Sequence, residues 1–438
     1  MKKILIALAM IASVQFAGAQ EQVKTVSAAK SAIEAAKAAA ENPKKNTKFA
    51  TWLKLAQTYI DAYNAPMGSA WIGASKQELN LVLAGEKPVT VEEVVVSGQP
   101  MTKEVYATRN YYFNQNGILN IIETTKPIAD DALDQALAAF KKAYELDLKG
   151  QKKDDISAGI KSIAGKFVDE AYNCYTFGDG NKASELFEKA AAAAAVEPYA
   201  AIDTNSLFNA GFTAWQTGNL ERAKTFFEKC LGIGFEGTDG EIYAKLADIA
   251  EKSGDTKAQV ENLEKGFSLY PQSQSILVGL INYYIASGES TERLFELLDV
   301  AKKNEPNNAS LYYVEGNIHE KLGEHDAAIV AYDQCSAISS EYEYGYIGKG
   351  ILYYNLAVEI QEEAQNEFDD NKYLALVEKF ESTLKACIEP FEKAFEITKD
   401  DAVKVSVAEY LKNACFRFRD DAEFGEKYEK YNNFVANN

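Results

Sequence analysis

Residues 243–271, YAKLADIAEKSGDTKAQVENLEKGFSLYP, decide how the rest of the chain is read. Tyr243, Leu246, Ala247 and Ala250 stand at i, i+3, i+4 and i+7, the spacing that puts four side chains on one face of an α-helix. Gly254 stops that helix, and a second helical period with Leu263 and Gly266 runs on to Pro271, which stops it in turn. The stretch 312–335, YYVEGNIHEKLGEHDAAIVAYDQC, repeats the layout with Tyr312, Gly316, His319, Gly323, Ala328, Tyr332 and Cys335. Its glycine stop lies two periods of about 34 residues beyond Gly254. Two short helices with one narrow apolar stripe each cannot bury those stripes alone, so neighbouring copies must cover them.

Weaker copies extend the pattern both ways. Trp52, Leu55, Ala56 and Tyr59 begin one, completed only at Ala136, Phe140 and Ala143. Further copies carry Ala183, Phe187 and Ala190; then Gly211, Gly218, Ala223, Phe227 and Cys230; then Leu277, Leu280, Ile281 and Tyr284 with Leu294, Leu298 and Ala301. Tyr346, Gly350 and Tyr353 pair with Cys387, Phe391 and Ala394, and a degenerate copy closes the chain with Leu411, Cys415, Phe424 and Tyr428. The series resembles the tetratricopeptide repeat (TPR). That resemblance implies an all-α fold, a right-handed superhelical solenoid of helix–turn–helix units, acting as a non-enzymatic binding surface for other proteins.

The expected organisation follows the copies. Residues 1–19 read as a cleavable export signal: Lys2 and Lys3, an apolar run from Ile4 to Val14, then Ala17-Gly18-Ala19. An N-terminal helix occupies 20–45, and a first unit spans 46–153 with an insertion at 64–130. A regular array covers 154–343. A unit with elongated helices, turning near Asp369-Asp370-Asn371, covers 344–400, and 401–438 is a degenerate capping repeat. The insertion breaks the helical period. Leu79–Leu83, Val89–Val96, Glu104–Phe113 and Ile118–Thr124 are apolar, β-branched or aromatic runs, separated by turn signals at Ala84-Gly85, Ser97-Gly98-Gln99-Pro100 and Asn114-Gln115-Asn116-Gly117. They predict a small antiparallel sheet or hairpin pair standing off the solenoid, a β-rich insertion in the first repeat.

Composition narrows the chemistry. The chain of 438 residues carries 65 Asp and Glu against 46 Lys and Arg, a formal net charge of −19. That sign repels phosphate backbones and anionic membrane surfaces, so no nucleic acid partner is expected. No later apolar run is long enough to span a bilayer, so the chain is not read as an integral membrane protein. Five cysteines, Cys174, Cys230, Cys335, Cys387 and Cys415, form no CxxC pair. The resemblance puts Cys230, Cys335 and Cys387 at small buried positions, as free thiols. Only two histidines exist, and no HExxH, GxSxG or GxxxxGK[ST] motif accompanies them. The resemblance puts His319 at an aromatic packing position, as a core histidine, and His325 at the opening of the next helix. No catalytic residue, metal site or cofactor is expected.

In the resembled family the first helix of each unit lines a concave groove. Carried over, its groove positions are Val168, Tyr172 and Tyr175; Phe208, Phe212 and Trp215; Tyr313, Asn317 and Glu320; and Ile347, Ile351 and Tyr354. Aromatic side chains there anchor a peptide at low entropic cost, and family members often hold a peptide backbone with Asn at the Asn317 position. The partner-binding residues read from the sequence are therefore Tyr172, Tyr175, Phe208, Phe212, Trp215, Tyr313, Asn317 and Tyr354. The resulting expectation is an exported, periplasmic or secreted, scaffold that binds another cell-envelope protein through the helical groove, the β insertion, or both. The competing expectation is a soluble carbohydrate- or nutrient-binding envelope protein with an aromatic groove.

Overall fold

The computed structural model describes residues 23–437 apart from residue 84; the expected leader at 1–19 and the Ala84 half of the turn at 84–85 lie outside the described residues. The chain divides into two compact units that meet at Gly237 and Thr238.

The first unit opens with α1 (Val26–Glu41) and α2 (Phe49–Asn64), a 3-10 turn (Ala65–Met67) and α3 (Lys76–Val82). Four strands follow, β1 (Thr90–Val96), β2 (Gln99–Val105), β3 (Arg109–Phe113) and β4 (Leu119–Thr124), then α4 (Ala132–Leu146). It ends with α5 (Lys153–Thr176), α6 (Gly180–Ala194), α7 (Thr204–Gln216) and α8 (Leu220–Gly232). Helices pack in pairs: α2 on α4, α5 on α6, α7 on α8. One core runs through them from Ile33 to Phe226, with Ala56, Tyr59, Ala136, Phe140, Phe167 and Phe187 inside it. Burying a ring such as Phe140 or Phe187 contributes about 1.5–3 kcal/mol, so these positions outweigh any single cap.

The second unit holds α9 (Glu241–Lys252), α10 (Thr256–Leu269), α11 (Gln274–Ser287), α12 (Thr291–Asn304), α13 (Ala309–Lys321) and α14 (His325–Ile338). The long α15 (Glu343–Gln365) leads to α16 (Asp370–Ala386), α17 (Ile388–Ile397), α18 (Asp401–Arg417) and α19 (Ala422–Asn437). The glycine stops do what their spacing requires. Gly254 and Gly323 adopt φ of +75° and +73°, which end α9 and α13 in the left-handed region. Asp255 then caps α10 by accepting from the Ala258 N–H at 3.0 Å. The helix after α15 breaks into α16 and α17, because Pro390 lacks the N–H that would bond back to Ala386.

The sheet occupies 90–124 as an antiparallel meander in the order β1-β2-β3-β4. Four details depart from the sequence reading. Leu79–Leu83 is not a strand: Ser75 and Glu78 form a capping box that starts α3, whose Leu79 is buried while Leu81 is exposed. Glu104–Phe113 is two strands, not one, because the chain reverses at Ala107-Thr108, closed by the Tyr106 N–H donating to the Arg109 carbonyl at 2.8 Å. The turn after β1 needs only Ser97 and Gly98, both at positive φ, so Gln99 and Pro100 already belong to β2. Leu79 of α3 and Leu83 just after it cover Tyr111, Phe113 and Ile122 on one sheet face. The other face carries Met101, Tyr112 and Ile121 and sits on the end of α5, so the sheet is docked on a helix rather than standing off the helices. There Tyr112 packs on Phe177 at 5.3 Å, Asn173 donates to the Ile122 carbonyl, and Ser97 donates to the Thr176 carbonyl.

Candidate partner-binding grooves

In the first unit the structure brings five of the eight sequence-predicted residues together on α5 and α7. The Tyr172 ring meets the Phe187 edge at 5.2 Å, and its hydroxyl accepts from the Asn209 amide at 3.2 Å. Tyr175 donates to the Gln216 side-chain oxygen at 2.8 Å. Two tyrosines therefore tie α5 to α7. Phe208 touches three rings, Phe212 at 6.0 Å, Phe227 at 5.8 Å and Phe235 at 6.0 Å. Phe212 in turn meets Trp215 at 5.9 Å. These rings line one side of the helices, half-buried against one another, with Tyr172 the most exposed. The sheet docks beside them, since Asn173, Thr176 and Phe177 on the same turns of α5 hold it.

The second unit treats its three residues differently. Tyr313 packs on Tyr332 at 6.0 Å and on Tyr344 at 5.6 Å, while Tyr354 lies against Tyr410 at 5.1 Å in a separate core. Asn317 lines an open cavity of about 510 Å³ with Ile285 of α11 and Val314, Ile318, Glu320 and Lys321 of α13. Below it sits the fully buried Tyr332, whose hydroxyl oxygen lies 2.8 Å from both Asn317 Oδ1 and Glu320 Oε2. One hydroxyl proton serves one acceptor, and the anionic carboxylate takes it. Burial and then Glu320 push the Tyr332 phenol above its ordinary range, so it stays a donor. Turning the Asn317 amide by 180° lets its N–H donate to the phenol oxygen, which is the assignment these contacts require. One end of the carboxamide is thereby held and the other is left for the cavity.

The cavity spans two first helices, so Ile285 of α11 escaped a reading made one helix at a time, while Val314, Ile318 and Lys321 each follow a groove position of α13 by one residue. Of the positions read from the repeat, only Asn317 and Glu320 border it. Beside the cavity's helix, Lys302 bonds Glu315 at 2.7 Å and Asp299 at 3.3 Å. His319 is half-buried rather than core, its ring on Phe295 at 4.7 Å and its Nδ1 2.7 Å from Glu324.

The thiols are free, and four of them are buried; Cys174 is half-buried. Burial pushes Cys230, Cys335 and Cys415 up to about 11 and Cys387 to about 12, where a thiolate nucleophile is not available near neutral pH. Among the described residues no cluster of three or more His, Cys, Asp or Glu is placed to hold a metal ion. No described helix is long and apolar enough to cross a membrane.

Comparison with known proteins agrees with this reading of the helices. The tetratricopeptide repeat matches residues 204–233, 240–273 and 309–342, which fall on α7–α8, α9–α10 and α13–α14. The chain thus carries TPR repeats. A TPR repeat-containing protein of Methanocaldococcus jannaschii is 27% identical over 38% of this chain, which spans only 31% of that relative. Among solved structures, YrrB, described as a TPR protein with an unusual peptide-binding site, is 17% identical, with a TM-score of 0.33 over 48% of this chain and 96% of its own. A tetratricopeptide repeat protein from Parabacteroides merdae is 15% identical, with a TM-score of 0.37 over 56% of this chain and 98% of its own.

Proposed function

We propose that this protein is a non-enzymatic scaffold whose helical grooves bind another protein of the cell envelope, with the β insertion as a second contact. The observation that carries the reading is the cavity between α11 and α13, which apolar Ile285, Val314 and Ile318 line together with Asn317. An apolar trough with a fixed carboxamide suits a peptide segment, which offers side chains to the trough and backbone groups to the amide. The TPR repeats support protein recognition as the general role. α2 and α4 pack on each other although the sheet segment separates them in sequence, which supports placing the insertion inside the first repeat. The acidic chain and the signal-like N-terminal sequence support an exported, periplasmic location. A carbohydrate site would need aromatic faces open to a sugar, and Phe208 spends its faces on three neighbouring rings.

The test is in-cell photo-crosslinking from positions 314 and 321, with position 265 as a control, followed by mass spectrometry. One envelope protein captured at near-stoichiometric yield from 314 and 321, and lost in Asn317→Ala, is the expected result. Equal capture from position 265, or no dominant protein, defeats the groove assignment. Fractionation of the same cells reports the location.

A further inference from the structure

Among the described residues the outer edge of the sheet has no partner strand. β1 is an edge strand, bonded to β2 alone. The two-residue turn at Ser97-Gly98 makes Val96 and Gln99 a hydrogen-bonded pair. Alternation from that pair turns the N–H and C=O groups of Val91, Glu93 and Val95 away from β2. The Tyr106–Arg109 bond sets the same phase independently: even-numbered β2 residues bond β3, leaving the odd-numbered ones for β1. Val91 stands opposite Glu104 and Glu104 opposite Tyr111, so these β1 side chains share the face that α3 covers farther along. Over β1 that cover is missing. Val89, Val91 and Val95 are 74%, 56% and 72% exposed. Unspent backbone bonds beside a row of bare valines make the kind of edge that sheets normally cover, bulge or charge.

Glu92 and Glu93 decide what fits. Glu92 is held by Lys103 at 3.5 Å. Glu93 takes only the Thr102 hydroxyl at 3.0 Å and has no cationic partner among the described residues. A second copy paired antiparallel through the centre of β1 sets carboxylate against carboxylate, which is destabilising. The overall charge of −19 opposes self-pairing too. A strand with Lys or Arg opposite Glu93 and apolar residues opposite Val91 and Val95 meets every group on the edge.

We propose that the outward edge of β1 accepts an extended segment of a partner protein whose side chains read apolar, basic, apolar along Val91, Glu93 and Val95. This rests on the scaffold reading but uses none of the groove residues.

The experiment uses the full chain and an end-blocked peptide in which threonine alternates with valine, lysine and valine, against its counterpart with glutamate for lysine. Amide hydrogen exchange and fluorescence anisotropy read the outcome. The lysine peptide should slow exchange at Val91, Glu93 and Val95 and bind about tenfold tighter than the glutamate peptide. Glu93→Lys should reverse that preference. Glu93→Pro, which deletes an outward N–H and no β1–β2 bond, should abolish binding. Protection elsewhere, equal binding of both peptides, or binding indifferent to both variants overturns the proposal. A dimer in sedimentation equilibrium that Glu93→Pro dissolves also overturns it, by giving the edge to a second copy. Crosslinking from 314 and 321 does not involve β1, so either surface can fail alone.

Discussion

One repeat position reaches opposite ends in the two units. On α5 and α7 the groove positions are aromatic and consume one another: Phe208 alone meets three rings, and Tyr172 and Tyr175 bond to α7. On α13 the corresponding position is Asn317, held at one end by Tyr332 and open at the other over an apolar cavity. The difference teaches that a repeat position specifies direction, while its neighbours decide whether the side chain is spent on the fold or kept for a ligand. Large rings close on each other across adjacent helices; a short amide cannot.

Tyr332→Ala breaks the comparison most severely. It removes the buried support of Asn317 and Glu320 and should cost about 3–5 kcal/mol of stability by thermal or urea unfolding. Phe208→Ala should cost about 2 kcal/mol, because a half-buried ring loses three neighbours. If it instead leaves stability unchanged and weakens partner capture, the aromatic set is a binding site after all.

Alkaline titration sharpens the contrast from another side. The folded state raises the thiol pKa values, so between the ordinary thiol range and about 11 the folded chain keeps protons that the unfolded chain loses. The thiol contribution to stability is therefore complete below about pH 8.5 and is lost as pH rises toward about 11, by about 1.4 kcal/mol per pH unit for each such thiol. The second unit buries three of the four buried thiols, Cys335, Cys387 and Cys415. It should lose its circular-dichroism or exchange protection at lower pH than the first unit, and Cys387→Ala should flatten the slope.

Tyr332→Phe keeps the ring and deletes the hydroxyl, at a cost of about 1 kcal/mol. It frees the Asn317 amide to rotate, so partner affinity should fall more than stability does. The smallest stability effect belongs to Asn317→Ala, below about 1 kcal/mol, with capture from 314 and 321 as its readout.

Most helices could be read in advance because a period of 3.6 is written redundantly, as Tyr243, Leu246, Ala247 and Ala250 show. The insertion was harder because short elements carry one signal each. Leu79–Leu83 looked like a strand until Ser75 and Glu78 are weighed as a capping box, a cue present in the sequence and outvoted by apolar composition. The reversal at Ala107-Thr108 had no glycine or proline to mark it. The cavity over Asn317 was legible only in part, since Ile285 lies on another helix and contributes through packing alone.

The placement of Tyr332 has one more consequence. Its ring fills the space left by Gly316 of α13 and by Gly348 of α15, where any added Cβ would collide with it. A single side chain of α14 is thus the shared wall of two successive helix pairs. The stretch from α13 to α15 should open as one cooperative block in native-state hydrogen exchange, with a common free energy of opening, so a ligand that grips α13 also restrains α15.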